Sequence, residues 1–224
     1  MINYRIRSFV RREGRMTAGQ QQAISTLWER FGVNPTSGLI DLNTLYGRHA
    51  PRILEIGFGN GACLATMAMH HPEKDFLGIE IHRPGVGQLL MQAEKLDLTN
   101  LRLLCMDAVL ALEHHLPDAA LDQVQIFFPD PWPKKRHHKR RLIQPAFANL
   151  LARKLKPGGI LHLATDWEDY AIQMLAVLKA TAGFYNTVAS GGFSTSPTER
   201  PLTKFEHRAQ HLGHPVWDLL FRRS

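Results

Sequence analysis

The clearest sign of the fold class is the segment Arg52-Ile-Leu-Glu-Ile-Gly-Phe-Gly-Asn-Gly61. An apolar run, Arg52–Ile56, ends in closely spaced glycines, and a helical pattern, Gly61–His70, follows them. Glycines at such a point let the chain turn tightly and let a ligand approach the backbone. The stretch therefore predicts the first strand, loop and helix of an α/β sheet, with a binding site beside the loop.

Apolar runs and helical patterns continue to alternate after this unit. The predicted strands are Arg52–Ile56, Asp75–Ile79, Leu101–Cys105, Leu121–Phe128 and Gly159–Ala164, with Gly183–Ala189 and Pro215–Phe221 as final strands. The predicted helices are Gly61–His70, Pro84–Leu96, Ala108–Leu116, Arg141–Leu155 and Trp167–Thr181. This alternation predicts a doubly wound, mostly parallel, seven-stranded α/β sheet of the Rossmann-like kind, with helices on both faces.

The residues before this pattern are predicted to form a separate N-terminal extension, residues 1–50, and residues 51–224 the main domain. The extension is arginine-rich and contains one predicted helix, Thr17–Phe31, with Thr17 as its N-cap and Gly32 just past its end. Residues 34–50 are predicted to be a loop. Residues 190–213 are rich in Gly, Ser, Thr, Pro and charge, which is typical of a surface loop.

Composition narrows the classes of protein. The hydrophobic fraction of 44% suits a globular core, and no apolar run is long enough to span a membrane. The two cysteines, Cys63 and Cys105, lie far apart in apolar patterns, which favours reduced thiols in a cytoplasmic protein. The arginines before residue 16 have no apolar signal region beside them, and Glu13 and the scarcity of serine argue against a mitochondrial presequence.

Basic residues outnumber acidic ones, 27 to 20, and they are clustered. The clusters lie at Arg5–Arg15, at Lys134–Arg141 and around residues 200–223. Clustered cations of this kind are typical of a nucleic-acid binding surface.

Acidic residues mark the carboxyl ends of five predicted strands. They are Glu55, Glu80, Asp107, Asp130 and Asp166. In doubly wound sheets, ligands bind at these strand ends, near the point where the strand order reverses. A single acidic turn residue is often only solvated, but five in series indicate a site.

The glycine loop alone leaves two cofactors open. Gly57, Gly59 and Ala62 satisfy the dinucleotide pattern, and Glu80 is placed to bind ribose hydroxyls in either NAD or S-adenosylmethionine. Glu55 is a poor neighbour for a pyrophosphate but a good one for the cationic amino acid end of S-adenosylmethionine. Asp107 could accept the exocyclic amine of adenine.

The segment Gln125–Arg141 joins an apolar strand to a Pro129-Asp130-Pro131-Trp132 corner and then to a dense basic run. With the glycine loop, Glu80 and Asp107, it resembles the bacterial tRNA (guanine-N7-)-methyltransferases. The resemblance covers nearly the whole chain. It includes Ile6–Arg15, Ala164–Trp167, Arg200–Glu206 and Leu212–Asp218, with Pro133 where relatives often carry a histidine.

This resemblance implies methyl transfer from S-adenosylmethionine to N7 of a guanine in the tRNA variable loop. It implies a catalytic role for Asp130, and it also assigns the remaining site residues. The cofactor would be bound by Glu55, Gly57, Gly59, Gly61, Glu80, Asp107 and Asp130. The substrate would be held by Lys134, Asp166, Thr203, Lys204, Phe205 and Glu206. RNA would be bound by Arg136, His137, His138, Lys139, Arg140 and Arg141.

Several alternatives stay open at the level of sequence. Either Asp166 or Glu206 could read the guanine edge, and Trp132 could stack on a base or anchor the corner. The spacing of His207, His211 and His214 resembles a metal site, but no fourth ligand is evident, so no metal is predicted. A nicotinamide-dependent oxidoreductase would leave the basic run unused, and the intact acidic set argues against a non-catalytic RNA-binding protein. The choice between monomer and homodimer stays open.

Overall fold

The computed structural model describes residues 8–9, 14–195, 201 and 215–224 of the chain. Its strands are β1 (Arg52–Ile56), β2 (Asp75–Ile79), β3 (Leu101–Leu104), β4 (Leu121–Phe127), β5 (Leu155–Thr165), β6 (Phe184–Asn186) and β7 (Trp217–Arg223). Its helices are α1 (Ala18–Phe31), α2 (Leu42–Tyr46), α3 (Ala62–His70), α4 (Arg83–Lys95), α5 (Ala108–His114), α6 (Pro145–Lys154) and α7 (Glu168–Ala180).

The strands form one seven-stranded sheet in the order β3-β2-β1-β4-β5-β7-β6. The five strands from β3 to β5 are parallel, whereas β7 runs antiparallel to β5 and β6 antiparallel to β7. The predicted seven-stranded, mostly parallel α/β sheet is thus confirmed. Strand β1 lies between β2 and β4, so the strand order reverses at β1, and the adjacent carboxyl ends form the crevice where such sheets bind ligands.

Apolar side chains cover the two faces of the sheet in separate clusters. One cluster includes Leu54 and Val124 of the sheet, and Leu151 and Tyr170 from α6 and α7. The other includes Ile53 and Phe76, with Leu64, Leu89 and Leu90 from α3 and α4. Alternate residues of β1 thus enter opposite clusters, as expected for a strand buried on both faces.

Helix α1 begins and ends as its sequence predicts. The Thr17 hydroxyl accepts a hydrogen bond from Gln20 N at 3.2 Å, and the Gln20 side chain accepts one from Thr17 N at 3.0 Å, which completes a capping box. Gly32 follows the last residue of the helix. Helix α1 packs closely on α4, because a Cβ atom at Gly87 would lie 2.7 Å from the Gln20 carbonyl oxygen.

Three local predictions were wrong. Residues 34–50 are not only a loop, because Asp41 caps the short helix α2 by accepting hydrogen bonds from Asn43 N and Thr44 N. The helix predicted from Arg141 begins instead at Pro145, a residue suited to a first helical turn but not to a helix interior. Strand β5 begins at Leu155 rather than Gly159.

The other strand ends differ from the predictions by a few residues. Strands β3 and β4 each end one residue earlier, β6 is the shorter segment Phe184–Asn186, and β7 extends to Arg223. None of the helices in the part of the chain that the structure describes has the length and apolar character needed to cross a bilayer.

Candidate active site

A cavity of about 210 Å³ lies at the carboxyl ends of β1 to β4. The walls of this first cavity include four residues that the sequence singles out: Gly57, Glu80, Asp107 and Asp130. They come from four different loops, and the parallel register of the sheet brings those loops to one edge. The predicted gathering of acidic strand ends is therefore observed for Glu80, Asp107 and Asp130.

Backbone donors fix two of these carboxylates. Glu80 Oε2 accepts a hydrogen bond from Gly59 N at 3.0 Å, and Oε1 accepts from Ile81 N and His82 N at 2.7 and 2.9 Å. Asp107 caps α5 through Oδ1, which accepts from Val109 N at 2.8 Å. The second oxygen of Asp107, Oδ2, has no hydrogen bond to any described residue, so it can accept one from a ligand in the cavity.

The three glycines of the loop differ in their surroundings. Gly57 and Gly59 have φ angles of 76° and 59°, and a Cβ at either position would meet no atom within 4 Å. These two glycines therefore leave open space beside the backbone. A Cβ at Gly61 would lie 2.6 Å from Leu89 Cβ, and Gly61 lines neither of the cavities described here. The structure thus gives Gly61 a packing role between α3 and α4 rather than direct contact with a ligand.

A second cavity, of about 440 Å³, lies on the other side of the glycine loop. It shares Gly57, Phe127 and Phe128 with the first cavity, and Glu55 forms part of its wall. Glu55 is 3% exposed, and its Oε2 atom has no hydrogen-bond partner among the described residues. Burial, with a smaller contribution from the nearby Glu80, raises the pKa of the Glu55 carboxyl to about 8. This buried carboxyl oxygen is therefore available to a hydrogen-bond donor, and a cationic donor beside it would favour the ionised form of Glu55.

The Pro-Asp-Pro-Trp corner carries Asp130 to the rim of the first cavity. Phe128 and Trp132, on either side of the corner, have φ angles of 52° and 45°. Such left-handed conformations are uncommon for large side chains and mark a tightly constrained segment. Asp130 is exposed, so its carboxylate is open to a substrate approaching from solvent.

Trp132 is engaged within the protein. Its indole Nε1 donates a hydrogen bond to the Ser8 carbonyl oxygen at 3.1 Å. The Arg140 guanidinium lies over the indole, 4.8 Å from the ring centroid, and the His137 ring meets it edge-on at 5.8 Å. Of the two alternatives for Trp132, these contacts favour the anchor of the corner.

The basic run forms a 3-10 helix, Lys135–Arg140. Four of its cations are exposed: Lys134, Lys135, Arg136 and Lys139. Arg140 and the two histidines, His137 and His138, are half-buried. Partial burial, followed by the charges of neighbouring cations, lowers the pKa of His137 and favours its neutral form.

Arg141 does not belong with these exposed cations. Its side chain is 1% exposed, and its guanidinium is bound to protein groups on all sides. The prediction of Arg141 as an RNA contact is therefore corrected, because its donors already point into the protein. A run of identical charges in sequence gives no sign of which member turns inward.

The remaining predicted site residues lie outside the two cavities or outside the described part of the chain. Asp166 is half-buried at the end of β5, and Trp167 beside it is 40% exposed. Asp166 and Lys134 are not part of the wall of either cavity. Thr203, Lys204, Phe205 and Glu206 lie outside the described residues, as do His207, His211 and His214. Within the described ranges, no group of three or more His, Cys, Asp or Glu side chains could hold a metal ion.

Sequence reasoning missed several residues that line the cavities. Ser8 and Phe9 lie in the wall of the first cavity, and Gln20, His82 and Gln88 lie in that of the second. His82 follows Glu80 closely and could have been found from its place at a strand end. Ser8, Phe9 and Gln20 come from the N-terminal part of the chain, and only the packing of α1 and the corner brings them here.

The sheet order and the cavity at the strand ends define the fold of a class I methyltransferase. The 16S rRNA methyltransferase KamB superposes with a TM-score of 0.60 at 16% identity, over 87% of this chain and 99% of that one. A [4+2]-cyclase, SpnF, superposes with a TM-score of 0.53 at 17% identity, over 94% of this chain and 97% of that one. At these identities the likeness shows the fold alone.

Sequence comparison identifies the family. Residues 49–219 match a family model described as "Putative methyltransferase". The tRNA (guanine-N(7)-)-methyltransferase of Alcanivorax borkumensis is 57% identical over 98% of this chain and 92% of its own length. The protein of the same name from Halorhodospira halophila is 59% identical over 96% of this chain and 94% of its own. The chain belongs to the family of tRNA (guanine-N(7)-)-methyltransferases.

Proposed function

We propose that this enzyme transfers a methyl group from S-adenosylmethionine to N7 of a guanine in the variable loop of tRNA, forming 7-methylguanosine. One observation carries the proposal. The exposed carboxylate of Asp130 stands at the rim of the cavity that Gly57, Glu80 and Asp107 line, and exposed cations follow it directly in the chain. A methyl donor and a polyanionic acceptor would therefore meet at Asp130.

The residues present fit S-adenosylmethionine. Glu55, whose buried Oε2 atom has no hydrogen-bond partner in the described part of the chain, suits the ammonium of the methionine end. Glu80 suits the ribose hydroxyls, and Asp107 Oδ2 the amine of adenine. Gly57 and Gly59 leave the backbone accessible between them. The same Glu55 argues against a nicotinamide dinucleotide, since a nearby pyrophosphate would repel the ionised form of this carboxyl group. When bound, the sulfonium supplies an activated methyl group.

The protein's share of the chemistry is positional and electrostatic. Guanine N7 carries a free lone pair at neutral pH, so no general base is needed to expose it. Holding the two reactants in line can lower the barrier by about 7–11 kcal/mol. During transfer, positive charge develops on the purine ring. Asp130, fixed between two prolines, stabilises that charge without having to reorganise.

The acceptor guanine has to leave its stack before N7 can reach the cavity, at a cost of a few kcal/mol. Asp166 or Glu206 would accept hydrogen bonds from N1–H and the 2-amino group together. Lys134 and Thr203–Glu206 would hold the nucleotide. Because Trp132 is occupied by Ser8 and Arg140, Trp167 beside Asp166 and Phe205 are the available stacking rings.

The cations of the basic run would hold the tRNA backbone. Arg136, Lys139 and Arg140 would contact phosphates as cations, and His137 and His138 as hydrogen-bonding groups. The tRNA substrate, together with the thiols of Cys63 and Cys105, supports a cytoplasmic location.

The decisive experiment is methyl transfer from radiolabelled S-adenosylmethionine to unmodified tRNA, followed by mapping of the modified base. Label at N7 of a variable-loop guanine is the expected result. Label on another base or another atom would refute the assigned target. Binding of NADH in place of S-adenosylmethionine would favour an oxidoreductase instead.

A further inference from the structure

The guanidinium of Arg141 is a buried junction between separate segments. Its Nε donates a hydrogen bond to the Pro131 carbonyl oxygen at 2.8 Å. Its Nη1 donates to Gln173 Oε1 and its Nη2 to Asp169 Oδ2, each at 2.6 Å. Its Nη2 also lies 3.1 Å from His138 Nε2. One side chain thus joins the corner after β4 to the first turns of α7.

The two joined segments carry the two ends of the proposed substrate site. Pro131 is the neighbour of Asp130, so a bond to its carbonyl restrains the catalytic carboxylate. Asp169 and Gln173 lie on α7, which begins two residues after Asp166. Asp130 follows β4 and Asp166 follows β5, and these paired strands end side by side. Arg141 therefore spans the gap between them.

Further contacts hold Arg141 itself in place. The ring of Tyr170 packs against the guanidinium, which lies 4.8 Å from the ring centroid. The Tyr170 hydroxyl accepts a hydrogen bond from Ile143 N at 3.0 Å, and Gln173 Nε2 donates to Ile143 O at 3.3 Å. The hydrogen bond from Arg141 is also the main cause that lowers the pKa of Asp169, so this carboxylate is ionised at neutral pH. The junction thus combines several hydrogen bonds with one ion pair.

We propose that Arg141 is a positioning residue that sets the separation between Asp130 and Asp166, and so aligns the guanine with the methyl donor. The inference rests on the proposed function and adds to it a residue that touches neither substrate nor cofactor. Arginine is required because its planar fork donates in three directions at once. A lysine ammonium on a flexible stem cannot satisfy Pro131, Gln173 and Asp169 together.

Displacement of a reacting group by about 1 Å costs on the order of 100-fold in rate. Arg141→Lys is therefore expected to lower kcat by about 10- to 100-fold, with the KM for S-adenosylmethionine nearly unchanged. The salt dependence of tRNA binding is also expected to stay as in the wild type, because Arg141 contacts no phosphate. Asp169→Asn weakens one arm of the junction at an exposed carboxylate, so the protein should fold normally and kcat should fall by a smaller factor.

Lys154→Met provides the matched control. Lys154 is likewise a buried cation, bound to the Leu116 carbonyl oxygen and to Asp118 Oδ1, but it lies at the opposite end of β4. The Lys154→Met variant should have a lower melting temperature, while kcat of the folded protein should stay unchanged. The measurements are kcat, both KM values, the melting temperature and the salt slope of tRNA binding for each variant.

Two results would overturn the inference. A lower melting temperature with unchanged kcat in both Arg141→Lys and Asp169→Asn would reduce Arg141 to a structural residue. A smaller salt slope in Arg141→Lys, with a raised KM for tRNA, would make it a phosphate contact. If Arg141→Lys does not fold, kcat of Asp169→Asn tests the inference alone: a lower kcat supports it, and an unchanged kcat overturns it. Failure of the proposed function is distinct, since the wild type itself would then methylate no tRNA.

Discussion

The Trp132 indole donates a hydrogen bond to the carbonyl oxygen of Ser8, and this bond ties the Pro-Asp-Pro-Trp corner to the N-terminal part of the chain. Ser8 and Phe9 stand in the wall of the first cavity, beside Asp107 and Asp130. The corner thus presents Asp130 and, through Trp132, also holds part of the cavity wall. Trp132, one candidate for a base-stacking ring, instead contributes to the shape of the first cavity, which is the proposed cofactor site.

Trp132→Phe tests this contact. The variant keeps an aromatic ring for Arg140 and His137 but loses the N–H donor to Ser8. A hydrogen bond of this kind contributes about 1 kcal/mol, so the Kd for S-adenosylmethionine should rise about fivefold, as measured by calorimetry. Trp28→Phe is the control. The Trp28 indole also donates a hydrogen bond, to Asn34 Oδ1 at 2.9 Å, but Trp28 lines neither of the two cavities. Equal Kd values for Trp132→Phe and the wild type would contradict the assignment.

Glu55→Gln tests the buried carboxyl. Glu55 has an ordinary pKa of 4.5 in the unfolded chain and about 8 in the folded protein, so folding takes up a proton between these values. The contribution of Glu55 to stability is therefore present at low pH and is lost as the pH rises through about 8. Between these two pKa values, the free energy of unfolding of the wild type should fall with rising pH more steeply than that of the variant. The difference in slope should reach about 1.4 kcal/mol per pH unit.

Thermal or urea unfolding across this range measures the difference without any ligand. Glu94→Gln, at an exposed position on α4, is the control and should follow the wild type. Saturating S-adenosylmethionine should reduce the pH dependence of the wild type, because an adjacent ammonium favours the ionised carboxylate. Parallel pH profiles for the wild type and Glu55→Gln would show that Glu55 titrates normally.

Asp130→Asn tests electrostatic stabilisation against proton abstraction. If Asp130 stabilises developing charge, the variant should lose about 10²- to 10³-fold in kcat at every pH, while binding of S-adenosylmethionine changes much less. Asp118→Asn, in the turn before β4, is the control and should retain full activity. An acidic limb in the wild-type rate profile that disappears in Asp130→Asn would instead indicate a titrating base.

Arg136→Ala combined with Lys139→Ala tests the exposed cations. Each phosphate contact contributes about 0.7–0.9 to the slope of log affinity against log salt, so the double variant should flatten the slope by about 1.4–1.8. Filter binding of tRNA at several salt concentrations gives the slope. The pair Lys95→Ala and Arg153→Ala removes two exposed cations from the ends of α4 and α6 and should leave it unchanged. If both pairs change the slope equally, the effect is one of net charge and not of the basic run.

Much of the fold followed from local patterns. The strands Arg52–Ile56 and Asp75–Ile79 were predicted to the residue, because both are short, mainly apolar segments bounded by turns. Thr17 and Gly32 bound α1 as predicted, because caps act through nearest neighbours in the chain. The start of α6 at Pro145 was missed because the residues before it also fit a helical pattern. Helix α2 was missed because its five residues are too few to show a helical repeat.

The features of the candidate site also fall into two groups, those predictable from local sequence and those that depend on packing. The order of residues along the chain was enough to predict that acidic residues end consecutive strands and that cations follow Asp130, because strand patterns and charge runs are properties of neighbouring residues. Three further features depend on tertiary packing: Glu55 Oε2 is buried with no hydrogen-bond partner among the described residues, Trp132 binds the Ser8 carbonyl oxygen, and Arg141 turns inward while Arg136 faces solvent. Burial and hydrogen-bond partners depend on segments far apart in the chain, such as Ser8 and Trp132, and packing alone determines which of them meet.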